Sequence, residues 1–376
     1  MKVLQLFALM FCLIATAVEA KAAPLQVLMI SPSYQTDPFF SQVDEIAGYA
    51  AASLGFELTL LHGDGNRLLQ KQILEDYLKE RKPDYLILQV YPGTGSELFE
   101  YLEQQQIPTI TLEHLLLARE QPLVGRPGEK YKYWVGEIYH DNAEASQLLM
   151  QYLLETCKPM AAAGYTDVIG INGSYGFESD ERAAGAKAAV AAKPTYQLQQ
   201  IVHGNWVRDV AYTQTLQLLR RYPQSRVIWS ASDWMALGII EGLKSQQQPL
   251  QNYCIGGFDW IAAAVEKIQQ GELTASVGGH FLMGAWAMVA IYDHHKRKLP
   301  NNLLSGHPAF ALELLHKNSL PLYSHLLQQQ TWQQIDFRQF SFAANPNQKK
   351  YPFSLKYALQ ILNGNRQNDD KQHLKP

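Results

Sequence analysis

Polar and aromatic side chains recur directly after apolar segments along the whole chain. They comprise carboxylates, an amide, one arginine, histidines, a serine and aromatic rings. In chain order they are Asp37, Phe39, Phe40, Gln89, Glu113, His114, Arg182, Trp206, Ser232, Phe258, Asp259 and His280. A carboxylate accepts hydrogen bonds from two hydroxyls, an arginine donates to two oxygens, and an aromatic face packs against the C–H groups of a sugar ring. The set therefore predicts a site for an uncharged ligand that carries several hydroxyl groups.

No motif of a known catalytic site accompanies these residues. The sequence contains neither H-E-x-x-H, nor G-x-S-x-G, nor a P-loop. His294 and His295 are adjacent, so they point to different sides of a helix, whereas a helical metal site needs ligands three or four residues apart. We therefore predict a binding protein with no catalytic residue, no metal and no cofactor. An enzyme that acts on the same ligand is the weaker alternative.

The elements that must place these residues follow from the spacing of apolar residues. Short apolar runs predict strands at 25–31, 56–62, 85–90 and 108–112 in the first half, and at 167–171, 196–202, 226–230, 253–257 and 274–278 in the second. Segments with helical spacing lie between most of them. Strands that alternate with helices form parallel sheets, which bind ligands at the carboxyl ends of their strands. We therefore predict an α/β fold with two doubly wound parallel-sheet lobes.

Composition and charge restrict the class of protein. The chain has 376 residues, of which 47% are hydrophobic and 18% charged, as in a globular protein with two domains. Its 32 Lys and Arg residues are matched by 35 Asp and Glu residues, which gives a net charge of −3. Because a nucleic-acid surface requires an excess of positive charge, we predict no nucleic-acid partner.

Residues 1–22 have the pattern of a secretory signal. Lys2 precedes an apolar stretch that runs from 3 to 17, and Val18-Glu19-Ala20 supplies small residues where a signal peptidase cuts. The stretch is too short to favour a membrane anchor. We therefore expect the mature protein in the periplasm. Two cysteines remain there, Cys157 and Cys254, and their pairing stays open because nothing in the sequence brings them together.

Nine segments in order resemble the type I periplasmic solute-binding proteins, specifically their ribose- and galactose-binding branch. In the first half they are DPFFSQVDEIAGYAAASLGFEL, KPDYLILQV, IPTITLEH and VGEIYHDNAEAS. In the second half they are SDERAAGAKAAV, NWVRDVAYTQTLQLLRRYP, SASDWMALGIIEGL, IGGFDWIAAAVEKIQQGELTASV and MGAWAMVAIYD. The match covers about residues 25–300. The resemblance implies two lobes joined by three hinge strands, with the ligand clamped between them.

The resemblance also implies that the residues named at the outset contact the ligand. Some depart from the pentose-binding pattern: Asn is usual at Asp37 and Gln89, Asp-Arg at Glu113-His114, Asn at Ser232, and Gln at Gly279-His280. These departures put ribose itself in doubt. Trp206 and Trp260 suggest a ring of a different shape, or a small signal molecule. Asp233 is expected to cap its helix rather than to touch the ligand.

We divide the chain accordingly into four parts. The signal peptide is 1–22, the first lobe is 23–134 with 281–307, the second lobe is 135–280 with 308–344, and 345–376 is a polar tail. Hinge crossovers are expected near 133–136, 278–281 and 306–308, and the polar segment 118–132 is expected to be a surface excursion.

These features lead to one expected function and one alternative. The expected function is that of a monomer that captures a sugar-like small molecule and presents it to the membrane permease of an ABC importer. The alternative is a ligand-sensing subunit of a membrane receptor, because segment 118–132 and the tail offer additional surface to a partner.

Overall fold

The fold is an α/β arrangement of two lobes, each built on a sheet of mainly parallel strands. The computed structural model describes residues 23–157 and 164–373, with side chains up to residue 364. The predicted signal segment at 1–22 lies outside the described residues. The α/β fold with two parallel-sheet lobes is confirmed. Within the described ranges, no helix is both long and apolar enough to cross a membrane.

The first lobe contains a parallel five-stranded sheet in the order β2-β1-β3-β4-β5. Its strands are β1 (Leu25–Ser31), β2 (Phe56–His62), β3 (Tyr85–Leu88), β4 (Thr109–Leu112) and β5 (Trp134–Ile138). Its helices are α1 (Phe40–Leu54), α2 (Arg67–Glu80), α3 (Gly95–Gln105) and α4 (Gln121–Val124). A later helix, α10 (Met283–His295), returns to this lobe and packs against α1.

The second lobe contains a six-stranded sheet in the order β11-β10-β9-β8-β6-β7. Its strands are β6 (Thr166–Asn172), β7 (Tyr196–His203), β8 (Ser225–Ser230), β9 (Cys254–Asp259), β10 (Ala275–Gly278) and β11 (Glu313–His316). Its helices are α5 (Asn142–Thr156), α6 (Phe177–Ala191), α7 (Arg208–Arg221), α8 (Asp233–Ser245) and α9 (Ala262–Gln270). Strand β11 pairs antiparallel with β10, which the alternation of strands and helices did not predict.

Helix ends follow from local sequence. Gly55 ends α1 in the left-handed region at φ 77°, a conformation that glycine adopts without steric cost. The side chain of Asn66 caps α2, and that of Asp141 caps α5, each by accepting hydrogen bonds from backbone N–H groups of the first turn. These caps fix the points at which the chain turns from a strand end into the following helix.

The chain crosses between the lobes later than predicted. Strand β5 pairs with β4, so the predicted boundary between 134 and 135 cuts through a strand of the first sheet. The first crossing lies at 139–141, immediately before α5, and the second lies at Gly279 after β10. The third runs beside the first, because the N–H of Ala309 donates to the carbonyl of Tyr139 at 2.8 Å and Phe310 forms a bridge with His140.

The segment after β11 is not the polar tail predicted from residue 345. It contains α11 (Leu320–Tyr323) and α12 (Leu355–His373), and the side chains of 351–362 are mostly buried. The ring of Tyr323 still contacts the second lobe, 4.9 Å from Trp260. The N–H of Phe337 already donates to Ser53 in α1, so the chain crosses between the lobes a fourth time. Residues 337–344 thus lie on the first lobe, not on the second as predicted.

A buried carboxylate holds this C-terminal segment on the first lobe. Asp293, in α10, accepts hydrogen bonds from the N–H groups of Phe342 at 2.8 Å and Ala343 at 2.9 Å, and from the hydroxyl of Tyr351 at 2.9 Å. A buried carboxylate is tolerated when its oxygens are hydrogen-bonded in this way. The rings of Phe340 and Phe353 add apolar contact, each 4.7 Å from the ring of Trp286.

We expect Asp293→Ala to lower the free energy of unfolding by about 2–4 kcal/mol, because three donors lose their acceptor inside the protein. Urea denaturation followed by fluorescence measures the change. The control Glu266→Ala removes an exposed carboxylate and should leave stability within about 0.5 kcal/mol. Equal stabilities for the two variants would contradict the role given to Asp293.

Candidate ligand-binding site

A buried arginine stands at the centre of the cleft between the lobes. Arg182, in α6, is only 5% exposed. Its Nε donates to Oδ1 of Asn142 at 2.8 Å, and its Nη1 donates to the carbonyl of Ala231 at 2.7 Å. The guanidinium carbon lies 4.0 Å from the ring centre of Phe258 and 5.6 Å from that of Trp206. The guanidinium is thus held in one orientation by hydrogen bonds and cation–π contacts from four different segments of the second lobe.

Asp259 supplies the nearest negative group. It ends β9, and its Oδ1 lies 3.9 Å from Nη1 of Arg182 and 3.3 Å from Nε2 of His280. Its backbone is in the left-handed region at φ 115°, a strain of about 1–3 kcal/mol that persists where the surroundings impose it. Burial raises the pKa of Asp259 to about 8, against the attraction of Arg182 and with a further increase from the charge of Asp37. The protonation of Asp259 therefore depends on the charge of Arg182.

Two histidines from the lobe crossings complete this cluster. His280 follows Gly279, and its ring centre lies 4.3 Å from that of Phe39 and 4.8 Å from that of His140. Burial holds the pKa values of both histidines well below the usual value, and the charge of Arg182 lowers both further. Both rings are therefore neutral at physiological pH, and each can donate from one nitrogen and accept at the other.

Glu113 brings the first lobe into the same cluster. It follows β4 at φ 61°, and its Oε2 lies 3.8 Å from Nδ1 of His140. Burial raises its pKa to about 7, although the charge of Arg182 lowers it. Because His140 lies at the crossing into the second lobe, its contact with Glu113 places this carboxyl group where the two lobes meet.

Several buried polar atoms in this cluster have no hydrogen-bond partner among the described residues. They are Oε2 of Glu113, Nδ1 of His140, Nδ1 of His280 and Oε2 of Glu178. A buried donor or acceptor without a partner costs about 1–3 kcal/mol, so groups of this kind mark a place where something else supplies the bond. Hydroxyl groups both donate and accept, and therefore match neutral imidazoles and carboxyls equally well.

The loop after β1 places two aromatic rings at the same cleft. The carboxylate of Asp37 accepts hydrogen bonds from the hydroxyl of Ser33 at 2.8 Å and from the N–H groups of Phe39 and Phe40 at 2.9 and 2.8 Å. Asp37 therefore fixes the turn into α1 and thereby the two rings, which meet edge to face at 5.1 Å. The ring of Phe39 in turn contacts His280, which links this loop to the cluster.

Trp206 reaches the cluster because of a glycine. It lies after β7 at φ 62°, and a Cβ on Gly173 would stand 2.0 Å from its ring. Glycine at position 173 thus allows the indole to lie flat against the backbone that follows β6. This contact explains how an aromatic ring from a loop is held over the guanidinium of Arg182.

Other residues predicted at the site have structural partners. The hydroxyl of Ser232 accepts a hydrogen bond from Met235 N–H and caps α8, the function expected of Asp233. Asp233 instead accepts from the hydroxyl of Ser276 at 2.7 Å inside the lobe. Gln89 is buried after β3, where its carbonyl accepts from the side chain of Gln70. Trp260 is buried, and its Nε1 donates to the carbonyl of Ser276.

His114 turns towards the flank of the hinge. Its Nδ1 lies 2.9 Å from Oε2 of the buried Glu137. Burial alone would lower the pKa of His114, but Glu137 outweighs this effect and raises it. The ring lines a cavity of about 430 Å³ beside the cleft, formed with the predicted surface excursion, whose other lining residues include Gln121, Arg126, Glu137, Tyr139 and Gly306.

Three residues of the cluster, His140, Asn142 and Glu178, were not predicted from the sequence. His140 and Asn142 lie in the segment VGEIYHDNAEAS, which was assigned only through its resemblance to a family and not as the end of a strand. Recognition of β5 would have placed both at a strand's carboxyl end, which was the criterion used elsewhere. Glu178 lies in the first turn of α6, where acidic residues are common for helix stability alone, so its type gave no signal.

We expect Asp259 to lower the free energy of unfolding of the ligand-free protein as the pH rises from 5 to 8. Its pKa rises from an ordinary 3.8 to about 8 on folding, so in this range the folded chain binds more protons than the unfolded chain. Asp259→Asn should remove this contribution, up to about 1.4 kcal/mol per pH unit. Urea unfolding at both pH values measures it. The exposed Asp180→Asn serves as the control, and equal pH slopes in all three proteins would refute the assignment.

Comparisons with known proteins show the family of the chain. Residues 28–298 match the family described as a periplasmic binding protein domain. The ribose import binding protein of Escherichia coli (strain K12) is 23% identical over 265 residues, which cover 70% of this chain and 82% of that protein.

Solved structures show the same fold. A periplasmic sugar-binding protein from Pseudomonas fluorescens is 26% identical, with a TM-score of 0.77 over 89% of this chain and 98% of its own. A Caulobacter myo-inositol binding protein, bound to myo-inositol, is 20% identical and shares the fold with a TM-score of 0.65, over 80% of this chain and 96% of its own. The family match extends over most of the described chain, and the chain therefore belongs to the periplasmic binding proteins, in the ribose and galactose branch of type I.

Proposed function

We propose that the protein captures a sugar or a sugar-like polyol between its lobes and presents it to the permease of an ABC importer. The observation that carries the proposal is the buried cluster around Arg182, in which Glu113, His140 and His280 leave polar atoms unpaired. The family supports the same function, because relatives of this chain include ribose import and sugar-binding proteins.

The charges of the cluster favour a neutral ligand over an anionic one. Arg182 is the cation, and the carboxyl groups of Asp259 and Glu113 lie close enough to influence it and one another. Because the pKa values of Asp259 and Glu113 are about 8 and 7, these carboxyl groups ionise near neutral pH, and their ionisation would repel a ligand carboxylate or phosphate. A hydroxylated ring avoids this cost and can occupy all the unpaired positions.

The ligand would hold the two lobes together. Glu113 and Phe39 come from the first lobe, Arg182 and Asp259 from the second, and His140 and His280 from the crossings between them. A ligand that contacts both lobes binds more strongly to the closed arrangement, so it shifts the population towards that arrangement. The closed protein, acting as a monomer, would then be recognised by the membrane partner.

The aromatic rings suggest what kind of ring is bound. Phe40 and Trp206 are only partly buried and stand on opposite lobes, where they can cover the two faces of a sugar. Solved relatives of this fold contain D-allose, arabinofuranose and myo-inositol, so a screen should include pyranoses, furanoses and cyclic polyols. We propose that the protein has no catalytic function. We also propose that residues 1–22 direct its export.

Sensing for a membrane receptor is the second candidate function. The feature that favours it is the cavity beside the hinge, which is lined by segment 121–129 and offers a surface that a receptor could contact. Uptake of radiolabelled ligand by cells that lack this protein separates the two functions. Lost uptake supports import, whereas normal uptake with a lost response to the sugar supports sensing.

We expect Arg182→Ala to weaken sugar binding by about 2–4 kcal/mol, or roughly 30- to 1,000-fold, because a charge-assisted contact in a buried site is lost. Isothermal titration calorimetry with the best ligand from the screen measures the change. Arg338→Ala is the matched control, since Arg338 is an exposed arginine paired with Asp336.

The binding measurement has a clear opposing outcome. If Arg182→Ala and Arg338→Ala bind the sugar equally well while both remain folded, the ligand does not lie at Arg182. A response of the native protein to anionic ligands alone would contradict the neutral-ligand proposal instead.

A further inference from the structure

The two cysteines of the described chain lie side by side in the second lobe. Cys157 follows the last residue of α5, and Cys254 is the first residue of β9. The side chain of Cys157 reaches strand β8 at the residue before Val227, which is the register partner of Cys254. Both cysteines are present as free thiols. The fold therefore brings together two residues that are almost a hundred positions apart in sequence.

Their surroundings fix this approach. The Sγ of Cys157 lies 3.5 Å from the carbonyl oxygen of Arg226 in β8. In the next strand, Cys254 is the register partner of Val227, the residue after Arg226. Cys157 thus ends its helix over the point where β8 and β9 meet. Tyr196 holds that helix end in place, because its hydroxyl donates to the carbonyl of Leu154 at 2.6 Å.

The pair is chemically asymmetric. The hydrogen bond from Cys254 lowers the pKa of Cys157, and the positive charge of Arg226 lowers it further. The same hydrogen bond, together with burial, raises the pKa of Cys254. Cys157 is therefore the thiol that ionises first, and a thiolate is the nucleophile in disulfide exchange.

We propose that Cys157 and Cys254 form a disulfide in the exported protein, and that this bond joins the end of α5 to the start of β9. The placement of Cys157 over the junction of β8 and β9, beside Cys254, carries the inference, which depends on the periplasmic location but not on the identity of the ligand. An oxidising compartment allows such a bond to form and persist.

The oxidant is a dithiol carrier in its disulfide form. One cysteine thiolate attacks the carrier disulfide, which breaks the carrier S–S bond and gives a mixed disulfide. The second cysteine then attacks its neighbour's sulfur and releases the carrier. In total, the two cysteines lose two protons and two electrons and gain one S–S bond, while the carrier is reduced from disulfide to dithiol.

The bond would lie at the opposite end of β9 from the ligand site. Strand β9 runs from Cys254 to Asp259, so the disulfide stands at the amino end of the sheet and the cluster at its carboxyl end. A crosslink there encloses β6, α6, β7, α7, β8 and α8 within one covalent loop. It should therefore stabilise the second lobe, mainly by restricting the unfolded chain, without contacting the ligand.

The test uses the full chain, expressed with export and purified without reductant. We expect no alkylation of Cys157 or Cys254 by iodoacetamide in denaturant, and complete alkylation of both after reduction. Peptide mapping should show the two cysteines in one linked fragment. Reduction should lower the melting temperature by about 5–10 °C. Two freely alkylated thiols in the exported protein would overturn the proposal, as would a disulfide between two chains.

Variants and a second preparation control these results. Cys157→Ser, Cys254→Ser and the double variant should each lose the dependence of the melting temperature on reductant. If a variant fails to fold, protein made in a reducing cytoplasm replaces it. That protein, made without residues 1–22 and therefore without Cys12, should carry two free thiols and should form the same linked fragment with oxidised glutathione. Sugar affinity should agree within about twofold between reduced and oxidised protein, so failure of this proposal and failure of the binding proposal are separable.

Discussion

The binding cleft depends on the compensation of one buried positive charge. A guanidinium that is 5% exposed would be prohibitively costly without partners, and Arg182 has an amide oxygen, a carbonyl, a carboxyl and an aromatic face around it. These partners come from the starts of α5 and α8 and from the end of β9. The carboxyl edge of the second sheet is thus arranged around a single side chain, and the strained backbone of Asp259 is one cost of that arrangement.

The first lobe contributes to the same cluster without directly neutralising the arginine. Glu113 and Phe39 approach it from loops after β4 and β1, and the rings of His140 and His280 stand at the crossings, close to the pivot. Groups near a pivot move less during a hinge rotation than groups at the rim of the cleft. In such a rotation we expect the histidines to move less relative to Arg182 than Glu113 and Phe39, whose distances from it should change as the lobes close.

Local sequence predicts most of this fold because buried parallel strands appear in the sequence as short apolar runs. Strands β1 and β2 have the predicted bounds, and Gly55 separates helix α1 from strand β2 at a single residue. Strand β5 escaped prediction because WVGEI has a glycine at its centre and a charged residue after it, and the buried Glu137 is compensated by its contact with His114. That compensation is a tertiary contact that no local pattern reveals. Burial of 351–362 also depends on a tertiary contact, because the ring of Phe353 packs against Trp286, which is distant in the sequence.

At the site, residue type and position after a strand pointed to Arg182 and Asp259, whereas His140 could be placed only after β5 was known.

The fourth passage of the chain between the lobes, from Tyr323 to Phe337, affects the energetics of domain motion. The other three crossings alone would leave the lobes free to twist as well as to swing apart. An additional tether that is anchored on both bodies excludes part of that angular range. The open arrangements then lose less conformational entropy when the lobes close, so the same set of contacts gives a higher affinity for the ligand.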